Sequence, residues 1–104
     1  MVKTQRYLEM TLLEDTYMKL RNAELVHCAE AFSRNYLGKN SNWYAYQKHT
    51  GRDYSVGAAI QCLRNIRSQQ RQTAISTAQQ QTLKATEKQL LAYLTKQHCV
   101  ADVC

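Results

Sequence analysis

The chain has 104 residues, no proline and only three glycines, while Gln, Ala, Leu, Lys and Arg are plentiful. Strands and tight turns need the punctuation that is missing here, and the plentiful residues are those that lose least on entering a helix. The expected fold class is therefore all-α, a small helical bundle. A chain of this length buries roughly 60–70% of its unfolded surface, enough for one modest core. An apolar content of 44% argues against wholesale disorder.

Apolar periodicity divides the chain into five pieces. Leu8, Leu12, Leu13, Tyr17 and Leu20 follow helical spacing over residues 4–21, with Thr4 available as a cap. Residues 22–24 read as a short break. A second helix is expected from about His27 to Leu37, with Cys28, Ala29, Phe32, Tyr36 and Leu37 on its apolar face. Gly38 stands where a left-handed C-terminal cap is needed. Ser41 can cap a third helix ending near His49, closed by Gly51. Ser55 can cap a fourth, with a stripe of Val56, Ala59, Ile60, Leu63 and Ile66. From Ser68 the chain is Gln-rich and only weakly apolar. It recovers a stripe at Leu83, Leu90, Leu91 and Leu94, which fits one long helix or a polar linker and a terminal helix.

The net charge of +6 is unevenly distributed. Residues 1–38 hold five cations and five acids, which cancel. Residues 39–71 hold Lys39, Lys48, Arg52, Arg64, Arg67 and Arg71 against Asp53 alone, six against one, a net of +5. Residues 72–104 hold three cations and two acids and add +1. A localised basic block is the footprint of a polyanionic partner, although a merely solvated basic surface would look the same.

The segment "AFSRNYLGKNSNWYAYQKHTGRDYSVGAAIQCLRNI" resembles the lambda-repressor type of helix-turn-helix domain, over about residues 27–67. The likeness lies in a Leu-Gly turn before the third helix, a second Gly closing it, and a capped helix after it. Phe32, Ser33, Tyr36, Trp43 and Tyr46 fall on the apolar or small positions if the turn is one residue longer than usual. The resemblance implies a helix-turn-helix core in residues 1–67, with residues 68–104 as an additional segment. It also implies that residues 41–49 read the major groove of double-stranded DNA.

At about 100° per residue, Trp43 and Tyr46 can share one face of that helix while Tyr44 lies well round it. The larger apolar pair is expected inward. Ser41, Tyr44, Ala45 and Lys48 then face outward, with Asn40 and Asn42 at the helix start. Asn reads adenine with two hydrogen bonds, so these residues are candidates for base contacts. Lys39, Lys48, Arg52, Arg64 and Arg67 are candidates for phosphate contacts, which give affinity without sequence information. The plainer reading is that Asn and Ser serve as turn and cap residues.

One such unit contacts few bases, and proteins of this kind usually dimerise. The leucine stripe either folds back onto the first helix or meets its copy in a second chain. The Gln-rich stretch offers little to pin it, so a homodimer through Leu83, Leu90, Leu91 and Leu94 is expected. No apolar run reaches the ~20 residues of a membrane span, and "MVKTQRYLEM" lacks the pattern of a secretory signal. Cys28, Cys62, Cys99 and Cys104 form no CxxC pair; His98, Cys99 and Cys104 would make an incomplete zinc set. Free thiols, a cytoplasmic setting and no metal or cofactor are expected.

His27, His49 and His98 are scattered and have no carboxylate placed for a triad. His27 and Cys28 diverge by about 100° on a helix, and no phosphate loop is present. No enzymatic activity is expected. Two functional classes remain: a small DNA-binding regulator of bacterial, phage or mobile-element type, and a compact helical adaptor or inhibitor. The second would bind another protein, as phage-type accessory factors acting on nucleic-acid enzymes do.

Overall fold

The computed structural model describes residues 10–97. Over these residues there are five α-helices and no strand. They are α1 (Leu12–Asn22), α2 (Ala29–Asn35), α3 (Trp43–His49), α4 (Val56–Gln70) and α5 (Thr77–Gln97). The all-helical class read from composition is correct.

The helix expected over residues 4–21 does not run unbroken. Thr11 has extended backbone, and its Oγ1 accepts from the Glu14 N–H at 3.2 Å, so α1 starts there. Thr4 and Leu8 lie outside the described residues. Two further N–H groups of the first turn, Leu12 and Leu13, donate to the Asp53 carboxylate at 3.2 and 2.9 Å. A loop acid forty residues away thus completes the cap and meets the positive end of the helix dipole. At the other end, the Leu25 N–H bonds the Leu20 carbonyl and the Glu24 N–H bonds the Arg21 carbonyl, both at 2.9 Å. This Schellman closure places Glu24 at φ 62°, an uncommon conformation for a residue with a side chain.

Gly38 closes the region after α2 at φ 67°, as expected from its position. Conformation is only half of its role. A Cβ there would lie 2.9 Å from Cγ of Gln61 on α4. The neighbouring Tyr36 carbonyl accepts from Asn65 Nδ2 at 2.9 Å, so the α2–α3 connection rests directly on α4. Gly51, at φ 72°, closes α3 with open space around it. Gly38→Ala should therefore destabilise more than Gly51→Ala. The latter carries only the left-handed penalty of about 1–2 kcal/mol, and urea midpoints of the two variants would check the order.

Ser55 caps α4 as expected, accepting from the Ala58 N–H at 3.2 Å. The face that α4 buries is rotated from the expected stripe. Ala58, Ala59, Cys62, Leu63 and Ile66 are inside, whereas Val56 and Ile60 are exposed. Small residues on the inner face allow close packing, and burial pushes the Cys62 thiol up to about 12, leaving it a protonated core group. Its sulfur lies 3.5 Å from the Tyr54 hydroxyl.

The Gln-rich stretch is not a loose tether. Ser68–Gln70 end α4, residues 71–76 form the break, and the remaining glutamines lie in α5. Ser76 and Gln79 form a reciprocal capping box: Ser76 Oγ accepts from the Gln79 N–H, and Gln79 Oε1 from the Ser76 N–H, both at 3.1 Å. Gln79 Nε2 also donates to the Ala23 carbonyl at 2.9 Å and Gln80 Nε2 to the Gln70 carbonyl at 3.0 Å. Both carbonyls stand at helix ends, where no intrahelical partner exists. Gln89 Oε1 accepts from Lys19 Nζ at 2.9 Å.

So pinned, α5 folds back onto α4 and α1. Leu83 and Leu90 are fully buried and join Leu13, Phe32 and Ile66 in one core. Leu94 is partly buried against that core, and only Leu91 is exposed. The expected dimer face is thus filled from within its own chain. The boundary expected at residue 67 falls inside α4, and a single core spans both sides of it.

Candidate nucleic-acid interface

The third helix presents a different face from the one expected. Tyr44 is 3% exposed, whereas Tyr46 is 56% exposed. The Tyr44 ring packs 4.8 Å from Tyr17 and 5.3 Å from Phe32, centroid to centroid. Burial pushes its hydroxyl up to about 12. Trp43 is half-buried against the core, inward as expected, with Lys39 Nζ 5.7 Å from its ring centroid.

Trp43, Tyr44 and Gln47 span about 100° of the helix, so they form one inner arc. Polar Gln47 is tolerated there because its Nε2 donates to the Asp53 carbonyl at 2.9 Å. The start of α3 is secured from α2: buried Ser33 Oγ accepts the Tyr44 N–H at 3.0 Å. Two polar partners and an aromatic cluster fix the rotation, and a comparison of aromatic areas alone misses all three.

Ser41 does not cap α3. Its Oγ accepts instead from Arg34 Nη1 at 3.0 Å, and Asn42 occupies the cap position without a side-chain bond. Asn40 makes an Asx turn, its Oδ1 accepting the Asn42 N–H at 3.0 Å. Asn40 and Ser41 therefore hold the connection in shape. The outward face of α3 is Asn42, Ala45, Tyr46 and His49, at i, i+3, i+4 and i+7, with Lys48 beside it, and all five are exposed. Tyr46 and His49 are the residues that the sequence reading missed.

The expected phosphate-contact residues separate into groups. Lys39 lies on the connection that rests against Gln61 and Asn65, and exposed Arg64 is one turn of α4 from Gln61. Exposed Lys48 and Arg52 lie toward the far end of α3. Arg67 is drawn away to α5, where its Nε meets Glu87 Oε2 at 2.7 Å. The Gln70 amide first, and then Arg67, hold the Glu87 carboxyl below its usual range. Among the described residues, Arg34, Lys39, Lys48, Arg52 and Arg64 have no carboxylate partner. Asp53, the single acid of residues 39–71, is turned inward onto the Leu12, Leu13 and Tyr54 N–H groups, the last at 2.7 Å.

A family model described as a family of unknown function (DUF6626) matches residues 13–104. The chain belongs to this family. The match begins just inside α1 and takes in every later helix, so the family covers the basic segment and α5 together. No curated protein and no solved structure matches the chain. Among the described residues, no group of three or more His, Cys, Asp or Glu could hold a metal ion, and His98, Cys99 and Cys104 lie outside them. No described helix is long and apolar enough to cross a membrane.

Proposed function

We propose that the chain is a small DNA-binding regulator that engages duplex DNA through α3 and the connection before it. The observation that carries this reading is the inward-turned Asp53. With that carboxylate used to cap α1, the exposed side of residues 39–71 offers cations without an offsetting acid. Lys39, Lys48, Arg52 and Arg64 would contact phosphate, while Asn42, Tyr46 and His49 are the side chains of α3 able to reach base edges. Tyr44 drops out of this set because it is in the core, and Arg67 because Glu87 holds it.

The test is a polarisation titration on duplex DNA at several salt concentrations. Four phosphate contacts should give a log–log slope of about −3 to −4, and Lys39→Gln or Arg64→Gln should each reduce its magnitude by about one. Tyr46→Ala should leave the circular dichroism and melting unchanged while weakening binding to a selected site. A slope near zero, or equal affinity in Lys39→Gln and Arg64→Gln, would end the DNA reading.

A further inference from the structure

We propose that the outward face of α4 is a second binding surface, which docks an acidic amphipathic helix of a protein partner. At about 100° per residue, Val56, Gly57, Ile60, Arg64, Ser68 and Arg71 lie together opposite the buried residues of α4. All six are exposed. The two β-branched residues are each 38% exposed and stand four apart, so they form one apolar spot on the first turns of the helix. To one side of them on the same face, a Cβ at Gly57 would meet nothing within 4 Å, which leaves the helix backbone open to close approach.

The second half of the same face is cationic. Arg64 and Arg71 have no carboxylate partner among the described residues, and Arg67 on the flank is only half satisfied, 48% of its side chain remaining exposed beside Glu87. The face is also held rigid on both sides. The α2–α3 connection abuts one flank through Gly38–Gln61 and Tyr36–Asn65, and α5 abuts the other through Arg67–Glu87.

Charge complementarity selects the occupant. Phosphates would satisfy Arg64 and Arg71 but would leave Val56 and Ile60 against a hydrated polyanion. A helix with two apolar side chains four apart and carboxylates one to three turns beyond them satisfies both halves at once. The aliphatic pair supplies the dehydrated contact and the arginines set the direction of docking. Because Arg64 is also a phosphate-contact residue under the DNA reading, such a partner would compete with duplex DNA.

The experiment uses the full chain and a fluorescein-labelled helical peptide of about four turns, with two leucines four apart followed by glutamates. Micromolar binding is expected. It should weaken at least tenfold in Val56→Ser/Ile60→Ser. That variant should melt somewhat lower, because each side chain is only 38% exposed, but keep native circular dichroism and a cooperative transition at the assay temperature. Duplex affinity should stay the same in that variant, whereas Arg64→Gln should weaken both ligands. A peptide with the leucines replaced by serine should bind at least tenfold less tightly. Equal binding of the two peptides would reduce the surface to bare charge and overturn the proposal, as would no binding of either.

Two other outcomes would also overturn it. One is a wild-type dimer in sedimentation that Val56→Ser/Ile60→Ser dissolves, which would make a second copy the occupant. The other is binding to phosphatidylserine vesicles with that same sensitivity while the peptide stays free. Peptide binding without duplex binding would leave this proposal standing and remove the DNA reading.

Discussion

A chain ending at Arg71, without α5, should fail to fold cooperatively. Leu83 and Leu90 are completely buried, and Tyr93 and Leu94 pack partly on the same core. Burying a Leu contributes about 1.5–3 kcal/mol, and the apolar faces that α4 and α1 present to α5 would be uncovered as well. A domain of this size has only about 5–15 kcal/mol in hand. The hydrogen bonds that α5 makes to Ala23, Lys19, Gln70 and Arg67 would go too. The expected result is weak helical circular dichroism, no sigmoidal urea transition and rapid proteolysis. A folded, cooperative product would show that α5 is an appendage, and would restore its leucine face as a candidate contact with a second chain.

Asp53→Ala should be the most damaging change of a loop residue, costing about 2–4 kcal/mol. The carboxylate accepts three backbone N–H groups, from Leu12, Leu13 and Tyr54, at 3.2, 2.9 and 2.7 Å. Hydrogen bonds to a charged group contribute about 1.5–3 kcal/mol each when shielded, and partial exposure here lowers the sum. Alanine would also leave the first turn of α1 with donors turned toward the protein and no acceptor. Asp53→Asn keeps one acceptor oxygen and should lose roughly half as much. Urea denaturation of the three proteins measures this directly. A loss under 1 kcal/mol in Asp53→Ala would mean that Thr11 and solvent cap α1 adequately.

The same residue shows what could be read in advance. Asp53 stands out in the sequence as the one acid among six cations, but nothing local says where it points. The Leu12 and Leu13 N–H groups that donate to it lie forty residues earlier, and only the packing of α1 against the α3–α4 loop brings them together. The capping box of Ser76 and Gln79, in contrast, is a legible S-x-x-Q pattern lost in the low apolar content around it. Glutamines taken as inert filler leave nothing to hold the leucine stripe on its own core. Their amides instead bond the free carbonyls at the ends of α1 and α4.

What the sequence determined by itself is local. The scarcity of breakers together with the plentiful helix formers favours helices, and Gly38 and Gly51 mark two helix ends because only glycine takes a left-handed backbone without strain. Ser55 starts α4 because its hydroxyl can reach a nearby N–H. Each of these acts within a few residues. Which way a helix faces is decided elsewhere. On a seven-residue helix such as α3, aromatic residues at 43, 44 and 46 admit more than one inward arc. Contacts from other elements, Ser33 on the Tyr44 N–H, Asp53 on Gln47 and Tyr17 on the Tyr44 ring, select among them. The leucines of α5 were equally ambiguous, because an apolar stripe specifies only that it must be covered. The tertiary structure covers it from within the chain, since partners already tethered nearby cost far less association entropy than a second molecule would.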